Sequence, residues 1–150
     1  MRILETPGVK EVEQSDKVVP LTTGRFRVEI DGVASVGFVA CRGLGASRRF
    51  FALTEGGVDT PRYFVDDRES LPLRLERAYS GDADLLEWYR SGEPRSGSVV
   101  LLSSTGEEAA RWSFLRGRLT RWWGPDLDSQ SPGVAIEAVE IVHEGVECEI

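Results

Sequence analysis

The feature that most constrains this chain is its last third, residues 109–146, where two apolar-rich runs flank a segment of Gly, Pro, Asp and Ser. The first run, 111–123, holds three of the four tryptophans; the second, 134–146, is dominated by β-branched residues and alanine. Two runs of that length around a turn predict a pair of long strands packed face-on against a core, with Trp112 and Phe114 turned inward. In the second run Glu137, Glu140 and Glu144 are spaced as on a helix. The β-branched content, and Pro132-Gly133 ahead of it, favour a strand whose alternation a bulge interrupts.

The rest of the chain repeats this vocabulary. Residues 25–30 alternate strictly, with Phe26, Val28 and Ile30 on one face and Arg25, Arg27 and Glu29 on the other, which predicts a half-buried strand. Asp31-Gly32 is a strong hairpin dipeptide, so 34–41 is read as the returning strand, and 47–54 as a third. Residues 55–70 read as a long irregular loop carrying Tyr63, Phe64 and Val65. Loops of that length in a compact domain are usually functional or ordered by a partner. Residues 71–77 and 98–103 are further strands. Residues 82–91 are the one helix, with Asp82 as cap, Asp84 in the first turn, Arg90 in the last, Leu85, Leu86, Trp88 and Tyr89 along one side, and Gly92 as the stop. Residues 1–24 carry no sustained period and are expected to form an extended arm ahead of a single domain spanning 25–150.

Composition narrows the function classes. Eighteen basic against twenty-five acidic residues give a formal charge of −7, which argues against a generic binder of nucleic acid or anionic membrane. The N-terminal residues lack a long apolar segment, so neither a signal peptide nor a membrane span is expected, and synthesis in a cytoplasm follows. Cys41 and Cys148 lie in strand-like runs and match no metal spacing; each reads as a small buried hydrophobe.

Candidate chemistry is sparse. His143 is the only histidine, so any histidine-dependent catalysis must use it, and a structural role is the stronger reading. The pairs Asp66-Asp67, Asp82/Asp84 and Asp126/Asp128 have simpler roles in loops, caps and turns than as metal ligands. Gly43-Leu44-Gly45 before Arg48-Arg49 lacks the helix and lysine of a phosphate loop. The arginines and tryptophans of 116–123 have the composition of a base-stacking surface, but strand alternation accounts for them more plainly. No catalytic, cofactor-binding or metal residue is assigned.

The order of motifs resembles the tail tube proteins of contractile-tailed bacteriophages and related contractile injection systems. The matching stretches are FRVEIDG followed by FVACRGL, then Glu55-Gly56-Gly57, then LPLRLERAYSGDADLLEWYRSG with Leu85 and Trp88, then the Trp-rich strand, and finally VAIEAVEIVHEGV with His143-Glu144-Gly145 near its end. The resemblance implies a mainly β fold, two packed antiparallel sheets forming a barrel-like sandwich with one flanking α-helix. It further implies a non-enzymatic subunit that forms hexameric rings, stacked inside a sheath into a conduit for DNA or a protein effector. Partners would be further copies of the chain together with sheath and baseplate proteins, in a particle assembled in bacteria. A specialised tube-initiator or baseplate ring, and a monomeric β-barrel binding a small ligand at its Trp-rich mouth, are the alternatives. For inter-subunit contacts the expected residues are Glu55, Gly56, Gly57, Arg62, Tyr63, Phe64 and Val65.

Overall fold

The structure, a computed structural model, describes residues 20–57 and 59–149, with 66–69 described by their backbone alone. Residues 1–19 of the expected arm lie outside the described residues. In chain order the elements are β1 (Phe26–Ile30), β2 (Phe38–Arg42), β3 (Ala46–Leu53), β4 (Arg62–Ser70), β5 (Leu73–Ala78), α1 (Asp84–Ser91), β6 (Arg95–Leu102), β7 (Glu108–Trp123), β8 (Ile136–Val142) and β9 (Val146–Glu149).

Strand β7 organises the rest. Its first half pairs antiparallel with β6 on one side and β9 on the other, and its second half pairs with β8. The strand path β1-β6-β7-β8-β5-β2 therefore turns from one layer into the next along a single 16-residue strand. The change of direction falls at Arg116, which takes a left-handed φ of 50°. There the Leu115 N–H donates to the Gly145 carbonyl (3.1 Å) and the Leu115 carbonyl accepts from the Glu144 N–H (2.8 Å). The broken alternation expected in the last run is thus a gap at 143–145 between β8 and β9, stitched onto the kink in β7.

Val28, Ile30, Val99 and Phe114 of the first layer bury against Leu73, Leu75, Val139 and Ile141 of the second, with Leu85 and Trp88 of α1 in the same cluster. The architecture is the expected sandwich with one helix, but its layers do not close into a barrel, since the strand path ends at β1 on one side and β2 on the other. Phe114 packs so tightly that an added Cβ at Gly97 would meet its Cζ at 2.7 Å, and one at Gly117 would meet its Cε1 at 2.7 Å. Gly97→Ala is accordingly expected to cost about 1–3 kcal/mol through overpacking, read as a lower urea midpoint at unchanged slope.

Three expectations change. Asp31-Gly32 does form a turn, but it closes only an isolated bridge from Ile30 to Val33. β1 pairs with β6 and β2 with β5, so the two strands sit at opposite ends of the path rather than in one hairpin. Burial of both strands against distant partners outweighed the local turn signal. The expected loop at 55–70 is mostly the strand β4, paired with β3 over its length. Finally, α1 starts at Asp84 with Ala83 as its cap residue, and Asp82 accepts the Asp84 N–H (3.1 Å) instead of capping the first turn. Leu85 and Trp88 are buried, whereas Tyr89 faces out; Gly92 ends the helix in the left-handed conformation as expected.

Candidate assembly surfaces

The β3–β4 hairpin forms a two-stranded sheet of its own, apart from the sandwich. Its root is fixed by glycine: Gly43 has φ 101°, and a Cβ there would lie 2.2 Å from the Pro72 carbonyl oxygen. No other residue lets the chain leaving β2 pass so close to the chain entering β5. Beyond this root the register places Phe51 opposite Phe64 and Leu53 opposite Arg62 on one face, with Phe50 opposite Val65 and Ala52 opposite Tyr63 on the other. The Phe51 and Phe64 rings stack with centroids 5.6 Å apart, and the Arg62 guanidinium lies 6.0 Å from the Phe64 ring. Arg62 also pairs with Glu55 across the tip (3.6 Å).

Every described side chain from Phe50 to Val65 is exposed, Tyr63 at 69% and Phe50 and Val65 at 57%. A lone two-stranded ribbon is marginal in water, and a contiguous apolar patch marks a surface meant to be covered. This ribbon is apolar on both faces. The hairpin gathers all seven expected contact residues, with Glu55, Gly56 and Gly57 at its tip and Arg62, Tyr63, Phe64 and Val65 on β4. It adds Phe50, Phe51 and Leu53, which sequence reading left inside an ordinary strand. The signal was present: adjacent apolar residues Phe50-Phe51 break the alternation that one-sided burial requires.

Inside the sandwich, a charge clamp fixes the ends of β5, β8 and α1 and the segment before β2. Arg77 and Glu137 face each other across β5 and β8 on the core side, and both are almost fully buried. The guanidinium donates to Glu137 Oε1 (2.9 Å), to both carboxylate oxygens of Asp84 at the start of α1, and to the Ala34 carbonyl (3.2 Å). Asp84 in turn accepts the Ala34 N–H (2.9 Å). One buried arginine therefore joins β5, β8, α1 and the segment before β2.

The two carboxylates respond differently. Burial pushes Glu137 above its ordinary value, and its single bond to Arg77 does not reverse this. Burial also opposes the charge on Asp84, but the Arg77 bonds and the Ala34 and Leu85 N–H groups hold it below its ordinary value. Asp84 thus contributes stability that is present above its unfolded value of about 4 and is lost as pH falls through the lower folded value. Glu29 and Glu108, lowered by hydrogen bonds from Arg27 and Arg111, act in the same direction. Urea midpoints are expected to fall steeply below about pH 4, and Asp84→Asn is expected to flatten that fall.

His143 belongs to the architecture. Its Nδ1 accepts the Gly145 N–H (3.2 Å), which leaves Nε2 to donate to the Leu71 carbonyl (2.9 Å). Both ring nitrogens are engaged in tying the β8–β9 gap to the entry of β5. Cys41 and Cys148 are free thiols; burial raises the Cys41 thiol to about 11, so it is protonated and a poor nucleophile. Asp84 is committed to Arg77, and Asp128 accepts the Gln130 N–H in a turn (2.9 Å). Among the described residues no group of three acidic, histidine or cysteine side chains converges, and no helix is long and apolar enough to cross a membrane.

The fold is a two-layer sandwich built on one kinked strand, with a flanking helix and a projecting apolar hairpin. The chain belongs to the T4-like virus tail tube protein gp19 family, whose model matches residues 22–147. In solved structures it is similar to a chain of the sheath–tube complex of PVC, an extracellular contractile injection system, in the extended state. That match has a TM-score of 0.80 and 20% identity over 91% of this chain and 96% of the other. A chain of the anti-feeding prophage baseplate matches with TM-score 0.77 and 20% identity, over 89% and 97% of the two chains. Hcp1 from Flavobacterium johnsoniae matches with TM-score 0.58 and 14% identity, over 82% and 93%. At these identities the likeness is one of fold. No curated protein matches.

Proposed function

We propose that the chain is a tube subunit that assembles into hexameric rings, stacked into the inner conduit of a phage tail or contractile injection system through which DNA or a protein effector passes. Membership of a tail tube family supports this reading, and the two-faced apolar hairpin is the observation that carries it. Six exposed apolar or aromatic side chains on a ribbon without a core of its own require burial, and a ribbon apolar on both faces suits insertion between two neighbouring bodies. The seven hairpin residues named from sequence are therefore the proposed inter-subunit contacts, joined by Phe50, Phe51 and Leu53. Contact between a hairpin and a different surface of the next copy is head-to-tail, the geometry that closes into a ring. Sheath and baseplate proteins are the further partners, and function resides in contacts rather than in catalysis. Purified protein is expected to show six-fold rings or short tubes by electron microscopy, alone or with its assembly partners. Protein that stays monomeric under both conditions would sink the proposal.

A further inference from the structure

The interior of the sandwich is open along one seam. Among the described residues β1 pairs as a strand with β6 alone and β2 with β5 alone. These two ends of the strand path both line a cleft of about 330 Å³. Its walls are apolar and come from both layers: Phe26, Leu101 and Trp112 from the first, Cys41 and Leu44 from the second and the chain leaving it. Among the described residues that line it Arg42 alone is charged, and it reaches outward to pair with Glu76 (3.1 Å). Val28, Val99 and Trp112 form one inward row of the first layer, and Phe26, Leu101 and Ala110 the next. Val28 and Val99 are buried, whereas Phe26, Leu101 and Trp112 are half-buried. In the second layer Leu75 is buried, and Cys41 beside it on the edge strand is half-buried. The core therefore thins toward this seam, with apolar side chains on both sides of the cleft.

The chain itself arrives at this cleft. Thr23 is part of the lining, the chain turns at Thr23-Gly24 into β1, and two residues earlier Leu21 is 50% exposed. Ahead of that, outside the described residues, the sequence reads Asp16-Lys17-Val18-Val19 and then runs into Pro20. In an extended segment neighbouring side chains point to opposite sides. A surface with one apolar wall therefore takes every second residue, and a cleft with two apolar walls takes two in succession. Val18-Val19 is such a pair, bounded by charge on one side and proline on the other. Pro20 also biases Val19 toward an extended backbone.

We infer that this cleft is the docking site of the segment just ahead of it in the same chain, with Val18 against one wall and Val19 against the other. Val19 is four residues from Thr23, within about 14 Å along an extended chain. So short a tether holds the segment at an effective concentration on the order of millimolar or more. A segment from a second copy must find the same walls without that tether. A small apolar ligand would fill the cleft but leave the valine pair in water beside it. The inference concerns the single chain; it goes beyond the tube reading and does not depend on ring formation.

The test reads Cys41, which lines the cleft, in the full chain with Cys148→Ser removing the other free thiol. Val18→Asp/Val19→Asp sets two carboxylates against apolar walls that cannot solvate them, and is expected to speed alkylation of Cys41 by iodoacetamide about fivefold or more. Gln14→Asp/Ser15→Asp adds the same charge nearby without removing an apolar residue, and is expected to leave the rate unchanged. Val18→Cys and Val19→Cys, made singly in the same background, put a thiol on either side of the segment. At least one of them is expected to form an intrachain disulfide with Cys41 on mild oxidation, running as a monomer on a non-reducing gel. These two variants decide the matter where the aspartates unfold the chain. An alkylation rate unmoved by Val18→Asp/Val19→Asp, or no disulfide from either cysteine variant, overturns the inference. A disulfide that joins two chains also overturns it, since the segment would then lie in the cleft of a neighbouring copy. Rings from a protein that fails both tests would remove this inference and leave the tube reading intact.

Discussion

Arg77→Ala is expected to lower the unfolding free energy by about 3–5 kcal/mol, the cost of leaving buried carboxylates without their cation. Glu137 lies opposite Arg77 in the β5–β8 register and is 1% exposed; without the guanidinium it faces an apolar core. Because burial already raises Glu137, Glu137→Gln removes a charge that the fold holds at a cost and keeps a hydrogen-bond acceptor for Arg77. That variant is expected to stay within about 1 kcal/mol of the wild type. Asp84→Asn, which weakens charge-assisted bonds in a less buried position, falls between them at about 1–3 kcal/mol. Urea unfolding at pH 7, followed by tryptophan fluorescence, ranks the three. Equal losses for Arg77→Ala and Glu137→Gln would show that the Glu137 charge is itself required, against the expectation that the fold holds it at a cost.

The second large effect concerns assembly rather than folding. Phe51→Ser/Phe64→Ser removes the stacked aromatic pair from one face of the hairpin. The rings are 44% and 40% exposed in the single chain, and an aromatic stack is worth about 0.5–1.5 kcal/mol, so the variant is expected to stay folded with a loss of that order. In the proposed assembly the same rings are covered, and losing two aromatic anchors typically costs several kcal/mol of binding. Sedimentation velocity is expected to show monomer where the wild type sediments as rings. A variant that melts normally and still forms rings would remove the hairpin from the interface.

Much of the fold was legible in the chain because its signals are local. The alternation of Phe26, Val28 and Ile30 fixes which side of β1 is buried, and the Trp-rich run reads as a strand from its own residues. Gly92 ends the helix whatever lies around it. The seven residues expected at contacts fall on one hairpin because they are consecutive or nearly so. Pairing was less legible. Asp31-Gly32 promises a hairpin by local chemistry, yet β1 and β2 pair with β6 and β5, distant in sequence, and their apolar faces turn into the core between the layers. Strand β4 was hidden for a related reason: it pairs with β3 apart from the sandwich, and its described side chains from Arg62 to Val65 are all exposed, so no one-sided alternation marks it.

What the sequence by itself determined is most of the strands, the helix that ends at Gly92, and the family. Each depends on periodicity, turn chemistry or motif order, which neighbouring residues carry between them. Only the tertiary structure decided that Glu137, spaced as if on a helix, points inward to Arg77 while Glu140 points out beside Arg74 and Arg121. It likewise decided that β7 serves both layers, and that the hairpin forms a sheet of its own whose described side chains from Phe50 to Val65 are exposed on both faces. These outcomes depend on which strands meet across the sheet. A buried charge is stable only beside its partner, and an apolar face is exposed only where no other element reaches it.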